Sequence, residues 1–304
     1  MTDTSESLRR KISSAGDLQS VVRTMKSLAA SSIGQYQSSV RALADYYRTV
    51  ELGLAVCLRE RVTAGPSMAP RPPIRASALS AIVFGSDQGL VGQFNDLIAD
   101  YAIETLAALP GKAQVWVVGE RIHSRLADAD LELLGLFNVP SSVQGITPLV
   151  EQIQVASEAR QAQGDSTALW VFHNQPQSGS RYEPVGQRLL PLDEQWQQGL
   201  TQVRWPSRNL PEILGGSAAA LHALVRSYLF ISLFRACAES LASENASRLA
   251  AMQRADKNID DLLGQLHARF NQIRQSGIDE ELFDVISGFE ALTRPSPKKQ
   301  GMPH

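Results

Sequence analysis

Residues 33–54, IGQYQSSVRALADYYRTVELGL, decide the fold: Ile33, Tyr36, Val40, Leu43, Tyr47, Val50 and Leu54 follow one another in alternating steps of three and four. That spacing returns an apolar side chain to one narrow face of a helix, the seam of a coiled coil. Upstream, Leu8, Ile12, Ala15, Val22, Met25 and Ala29 continue the seam less strictly, and the small Ala29 and Ala30 permit close helix approach. No proline occurs between Ser5 and Glu60, so the pattern predicts one helix on the order of 80 Å long.

A matching segment lies at the other end of the chain. From Ser217 to Leu292 there is again no proline; Ile259, Leu263, Leu266, Phe270 and Ile273 form a seam, and Ile278, Leu282, Val285, Phe289 and Leu292 resume it after a slip near Gly277. This helix is expected to run about 110 Å. Between the two, GPSMAPRPP at Gly65–Pro73 breaks the first helix, and the composition changes. Short apolar runs at Leu79–Phe84, Val115–Val118, Leu131–Phe137 and Leu169–Phe172 alternate with helical patterns at 93–108, 119–127 and 147–163. Arg188–Leu192 offers a further strand, and Trp196–Gly216 reads as loop. Alternation of this kind implies a mostly parallel, Rossmann-like sheet covered on both faces. The expected organisation is an N-terminal coiled-coil helix over 1–62, an α/β domain over 74–212, a C-terminal coiled-coil helix over 213–292 and a Pro- and Lys-bearing tail over 293–304.

Both long helices flank the same insertion, so they are expected to lie antiparallel. If they leave it near residues 60 and 213, the shorter helix is used up opposite residue 268 or so, and about 25 residues project alone. That projection carries Ile273, Ile278, Leu282, Phe283, Val285, Ile286 and Phe289, more apolar surface than an isolated helix leaves in water. It calls for a sleeve. The same register separates Cys57 from Cys237 by roughly 30 Å along the helices, too far for a disulfide.

Composition excludes several classes. A net charge of −2 lacks the basic footprint of a nucleic-acid binder. Two cysteines are no disulfide framework and fit a reducing cytoplasm. The start, MTDTSESLRRKI, has no apolar stretch behind its charges, so no export or organellar signal is read there. Leu221–Ala238 is interrupted by His222, Arg226 and Arg235, which argues against a transmembrane span.

The enzyme-like signal is GSDQGLVGQFN, Gly85–Asn95, at a strand-to-helix junction where phosphate can be cradled. Gly85, Gly89 and Gly92 do not have dinucleotide spacing, and no Lys-Ser/Thr follows for a P-loop, so a tight turn that lets strand and helix pack closely is favoured. His123, His173, His222, His267 and His304 show no ligand spacing, so no metal, cofactor or catalytic residue is assigned. Asp256, Asp260 and Asp261, with Arg254 and Lys257 beside them, read as an exposed, charge-laced face. Arg9, Arg10, Lys11, Arg23 and Lys26 on one helix, with Arg248, Arg254 and Lys257 on the other, suggest a positive collar suited to docking.

With these segments placed, nearly the whole chain resembles the gamma-subunit family of F-type ATP synthases. LRRKISSAGDLQSVVRTMKSLAA at 8–30 is similar to the family's basic first helix with its Met-Lys pair; ESLASENASRLAAMQRADKN at 239–258 and FNQIRQSGIDEELFDVISGFEAL at 270–292 are similar to its C-terminal signature; SDQGLVGQFN at 86–95 is similar to its turn. The resemblance implies an antiparallel coiled coil bearing an α/β insertion, with no catalytic role of its own. It implies a single copy whose bare tip enters a ring of three alpha and three beta subunits. The insertion would sit on epsilon and the c-ring, at the cytoplasmic face of the bacterial membrane. Carried over by position, Met25 and Lys26 match a collar contact to an acidic loop of beta, Arg248 and Gln275 match contacts within the ring, and Arg9 and Arg10 match the basic start, with Ile278 and Leu282 on the tip. Ser86, Asp87, Gly89, Gly92 and Asn95 match the structural turn. Val91, Gln93 and Asp279 depart from the usual residues, and the tail runs past the usual end, which points to a divergent branch. Proton or sodium coupling would be set by the c and a subunits. The rivals are a nucleotide-binding enzyme using the Gly85–Gly92 turn and a self-associating scaffold dimerising through the Ile33–Leu54 seam.

Overall fold

The computed structural model describes residues 4–63, 79–129, 131–162, 168–177, 181–209, 211–213 and 216–293. The Gly65–Pro73 linker and the tail from 294 onward lie outside them. Two compact units emerge, one made of residues 1–25 and 252–304 and the other of residues 26–251.

The larger unit is an α/β sandwich. Strands β1 (Leu79–Phe84), β2 (Ala113–Val118), β3 (Glu132–Phe137), β4 (Ala168–Pro176) and β5 (Tyr182–Leu190) form one sheet in the order β3-β2-β1-β4-β5. The first four are parallel and β5 is antiparallel to β4. Side chains alternate along each strand, so β1 sends Leu79, Ala81 and Val83 to one face and Ile82 and Phe84 to the other. Helices α3 (Phe94–Ala108) and α4 (Glu120–Ala127) cover the first face through Ile98, Ala102, Leu106, Ile122 and Leu126. The second face is covered by α5 (Ile146–Ala162), α2 (Ala44–Thr63) and the middle of α7 (Ser217–Thr293). This two-sided burial is why β1 is buried at every residue and reads as a continuous apolar run.

The first four strands fall where the apolar runs predicted them, with β4 longer than expected, whereas β5 starts well before the expected Arg188–Leu192 because it pairs along β4 from Leu169–Leu190 to Pro176–Tyr182. A helix forms where a loop was expected: α6 (Glu194–Gln202) is capped by Asp193, whose Oδ1 accepts from Trp196 N at 2.9 Å. Arg59 of α2 holds it, donating from Nε to Thr201 O at 2.7 Å and from Nη2 to Val203 O. By length and composition alone α7 contains a stretch apolar enough to cross a membrane. Between Tyr228 and Ala242, however, its apolar residues are core, packed against the sheet and α2.

The N-terminal segment is two helices rather than one. α1 (Ser5–Ala42) and α2 are separated at Leu43, whose N–H bonds Val40 O at 3.3 Å in a tightened turn. Burial nevertheless keeps a seven-residue beat through the break: Leu8, Ala15, Val22, Ala29, Tyr36, Val50 and Cys57 are buried and Leu43 is half-buried. In the larger unit this seam faces α7 in antiparallel register, with Tyr47 and Tyr228 ring centroids 6.2 Å apart and a Cβ on Gly53 meeting Leu224 Cδ2 at 2.9 Å. Cys57 and Cys237 are both buried free thiols, as expected.

Candidate partner-contact surface

The smaller unit pairs α1 up to Met25 with α7 from Met252 onward, antiparallel. Leu8, Ala15 and Val22 of α1 and Met252 and Ile259 of α7 are buried between them, and Arg9 stacks over the Phe270 ring at 5.6 Å. A polar layer crosses the seam. Gln19, itself buried, donates from Nε2 to Asp260 Oδ1 and to Asp256 Oδ1 at 3.5 Å, while Arg23 meets the same carboxylates at 3.2 and 3.6 Å. Asp260 and Asp261 are exposed as expected, whereas Asp256 is half-buried, and Asp256 and Asp260 bridge the two helices.

Among the described residues Ile273 is the last half-buried one of α7, and from 274 to 287 every side chain is exposed. Pairing thus ends about five residues later than the length argument placed it, because Arg9 lies opposite Phe270. The exposed stretch includes Gln275, Ile278, Leu282, Phe283, Val285 and Ile286, with Leu282 57% and Val285 70% exposed. Arg10 is also exposed, as is Met25, whereas Lys26 is half-buried, seven residues beyond Gln19. A second apolar stripe, Leu18, Val21, Met25 and Leu28, runs along α1 outside the seam. Arg248 has a partner within its own helix. It is turned inward at 17% exposure and pairs through Nη2 with Glu244 Oε1 at 2.6 Å.

The Gly85–Asn95 turn uses its polar atoms on the fold itself. Asn95 Oδ1 accepts from Ser86 N at 3.0 Å, and its Nδ2 donates to Ser86 Oγ at 2.8 Å. Asp87 accepts from Glu120 N at 3.0 Å and from Val139 N at 2.9 Å, tying the turn to the start of α4 and the end of β3. A Cβ on Gly85 would lie 2.4 Å from Ile122 Cγ2, so glycine permits the close strand-helix approach. Gly92 has φ +56°, while a Cβ on Gly89 would meet nothing nearer than Arg121 Nη2 at 3.5 Å. The hydrogen bonds of Ser86, Asp87 and Asn95 brace the turn against the fold.

Beneath this turn lies a buried polar network that the sequence reading did not anticipate. Ser247 Oγ donates to Val91 O, Ser243 Oγ to Asn174 O at 2.9 Å, and Asn174 Nδ2 to Phe94 O at 2.9 Å. His173 Nε2 donates to Glu239 Oε2 at 2.8 Å, and Arg235 Nε to Glu239 Oε1 at 2.7 Å. Burial pushes the Glu239 carboxyl upward, but the hydrogen bonds from His173 and Arg235 outweigh it and hold the group below its ordinary value. Burial lifts Glu244 above its ordinary value against the pull of Arg248. The available signal was the four-residue spacing of Glu239, Ser243 and Ser247, a polar stripe that follows the apolar run Leu229–Ala238.

Comparison with known proteins follows the same outline. A family model described as ATP synthase matches residues 4–292. The ATP synthase gamma chain of Salinibacter ruber is 30% identical, covering 94% of this chain and 97% of its own length. That of a Synechococcus strain is 28% identical over 94% and 98%. Among solved structures, a chain in the Euglena gracilis mitochondrial ATP synthase OSCP/F1/c-ring assembly aligns over 98% of both chains with TM-score 0.63 at 16% identity. A chain of the Tetrahymena thermophila central stalk and c-ring covers 77% of this chain and 99% of its own length, with TM-score 0.53 at 20% identity. The match across 4–292, together with the near-complete coverage of curated gamma chains, makes this chain a member of the ATP synthase gamma-chain family.

Proposed function

We propose that this chain is the central rotating shaft of an F-type ATP synthase, coupling ion flow through the membrane rotor to ATP synthesis or hydrolysis on other subunits. The observation that carries the reading is the end of α7: fourteen consecutive exposed residues, 274–287, bearing Ile278, Leu282, Phe283, Val285 and Ile286. An apolar helix end of that kind is stable in water only when something surrounds it. A ring of three alpha and three beta subunits is the sleeve this reading assigns, with epsilon and the c-ring against the α/β unit at the cytoplasmic face of the membrane. One copy serves each complex, and the phosphate chemistry belongs to the ring.

In this reading Arg9, Arg10, Met25, Lys26, Gln275, Ile278 and Leu282 form the surface that the ring reads. Arg248 joins it by exchanging its bond to Glu244 for a partner acid. Such contacts have to form and break on every turn, so exposed charge and apolar surface suit them better than deep ion pairs. Reconstitution with alpha and beta subunits, followed by ATPase and single-molecule rotation assays, tests the reading. Rotation driven by ATP is expected only when this chain is present; rotation of an otherwise complete complex lacking it rules the reading out.

A further inference from the structure

The seam of the smaller unit has a degeneracy that its apolar residues cannot resolve. On α7 the seam positions seven apart read Met252, Ile259, Leu266 and Ile273 in one row and Asp256, Leu263 and Phe270 in the other. On α1 they read Leu8, Ala15 and Val22, and Ile12 and Gln19. Sliding one helix by seven residues, about 10 Å, exchanges apolar for apolar along these rows except at Gln19 and Asp256, with Lys26 the next residue beyond Gln19 in its row. These two meet each other: Gln19 Nε2 reaches Asp256 and Asp260, and Arg23 closes over both carboxylates from one turn further along. One slip sets the Gln19 amide against Leu263, and the opposite slip sets the Asp256 carboxylate against Ile12. Either strands a buried polar group.

We infer that Gln19, Arg23, Asp256 and Asp260 form a register key that fixes the axial position of residues 5–25 on residues 252–273. The small side chains around it, Ala15 and Gly16, give little grip of their own. A polar layer in an apolar seam is retained for specificity of register rather than for net stability. The inference stands whether or not the chain turns in a ring.

Pulsed electron spin resonance on the full-length chain tests it. Nitroxides at Asp17→Cys and Gln265→Cys lie on exposed positions, and the native Cys57 and Cys237 are buried away from the reagent. With the native key, one narrow distance is expected. Gln19→Leu with Asp256→Leu makes the heptads uniformly apolar, and it should keep the helical circular dichroism while adding a second distance population displaced by up to about 10 Å. Gln19→Lys, which restores a donor facing both carboxylates, should keep the single distance. A single unshifted distance in the double-Leu variant overturns the inference. So does loss of helix without a second distance, or a second distance in Gln19→Lys.

Discussion

At the scale of single residues, the fold depends on a few positions where chemistry leaves no alternative. Gly119 has φ +114°, and a Cβ there would sit 2.8 Å from the backbone N and O of Ser86. Gly119→Ala is therefore expected to cost roughly 2–4 kcal/mol, from backbone strain and a clash with main chain that cannot swing away. Gly89→Ala, which meets only the end of a flexible arginine, should cost about 0.5 kcal/mol or less. Urea unfolding of the two variants checks the contrast, and equal costs would refute it. Glu239 gives a pH signature. Its folded-state value is depressed, so it contributes stability that is present above the unfolded carboxyl value of about 4.3 and is lost as pH falls through the folded value. Wild type should thus lose its advantage over Glu239→Gln as solutions are acidified below about pH 4.5, read as converging melting temperatures. Glu244, whose value is raised, works in the opposite sense: its contribution is lost as pH rises through the folded value.

At the scale of elements, the seven-residue beat of α1 and α2 separates side chains that hold the fold from those that do not. Leu54 is fully buried in the core under the sheet, whereas Leu28 is 68% exposed although equally apolar. Leu54→Ala is expected to cost about 2–5 kcal/mol and Leu28→Ala about 0.5 kcal/mol or less in the isolated chain, measured as urea midpoints. Comparable losses would mean that the seam has been drawn on the wrong face. Periodicity made both long helices and four parallel strands legible, because burial on one helix stripe or on two sheet faces writes directly into residue order. The short helix α6 escaped notice, since its apolar stripe is only Trp196 and Leu200 among polar neighbours, although Asp193 supplied a cap. Partners across the seam escaped for another reason. Asp256 has Arg254 and Lys257 as sequence neighbours, yet it bonds Gln19 and Arg23, and only the register between two distant segments brings these together. The pairing of Arg248 escaped more simply, as Glu244 lies one turn behind it and draws it inward.

At the scale of the whole molecule, the two units bury different residues and should fail separately. All four tryptophans, Trp116, Trp170, Trp196 and Trp205, belong to the unit of residues 26–251, so intrinsic fluorescence reports on that unit alone. Removing residues 271–304 deletes the exposed apolar end of α7 but none of the core around the sheet. Tryptophan emission and its urea midpoint are therefore expected to match those of the intact chain. In a reconstituted complex the same truncation should reduce torque or coupling, because the side chains assigned to the sleeve, Gln275, Ile278 and Leu282, are gone. The two readouts are independent. Unfolding of the tryptophan-bearing unit on truncation would show that the units are energetically one, whereas undiminished torque would show that the ring grips the chain elsewhere, with Met25, Lys26 and the exposed stripe of α1 the remaining surface.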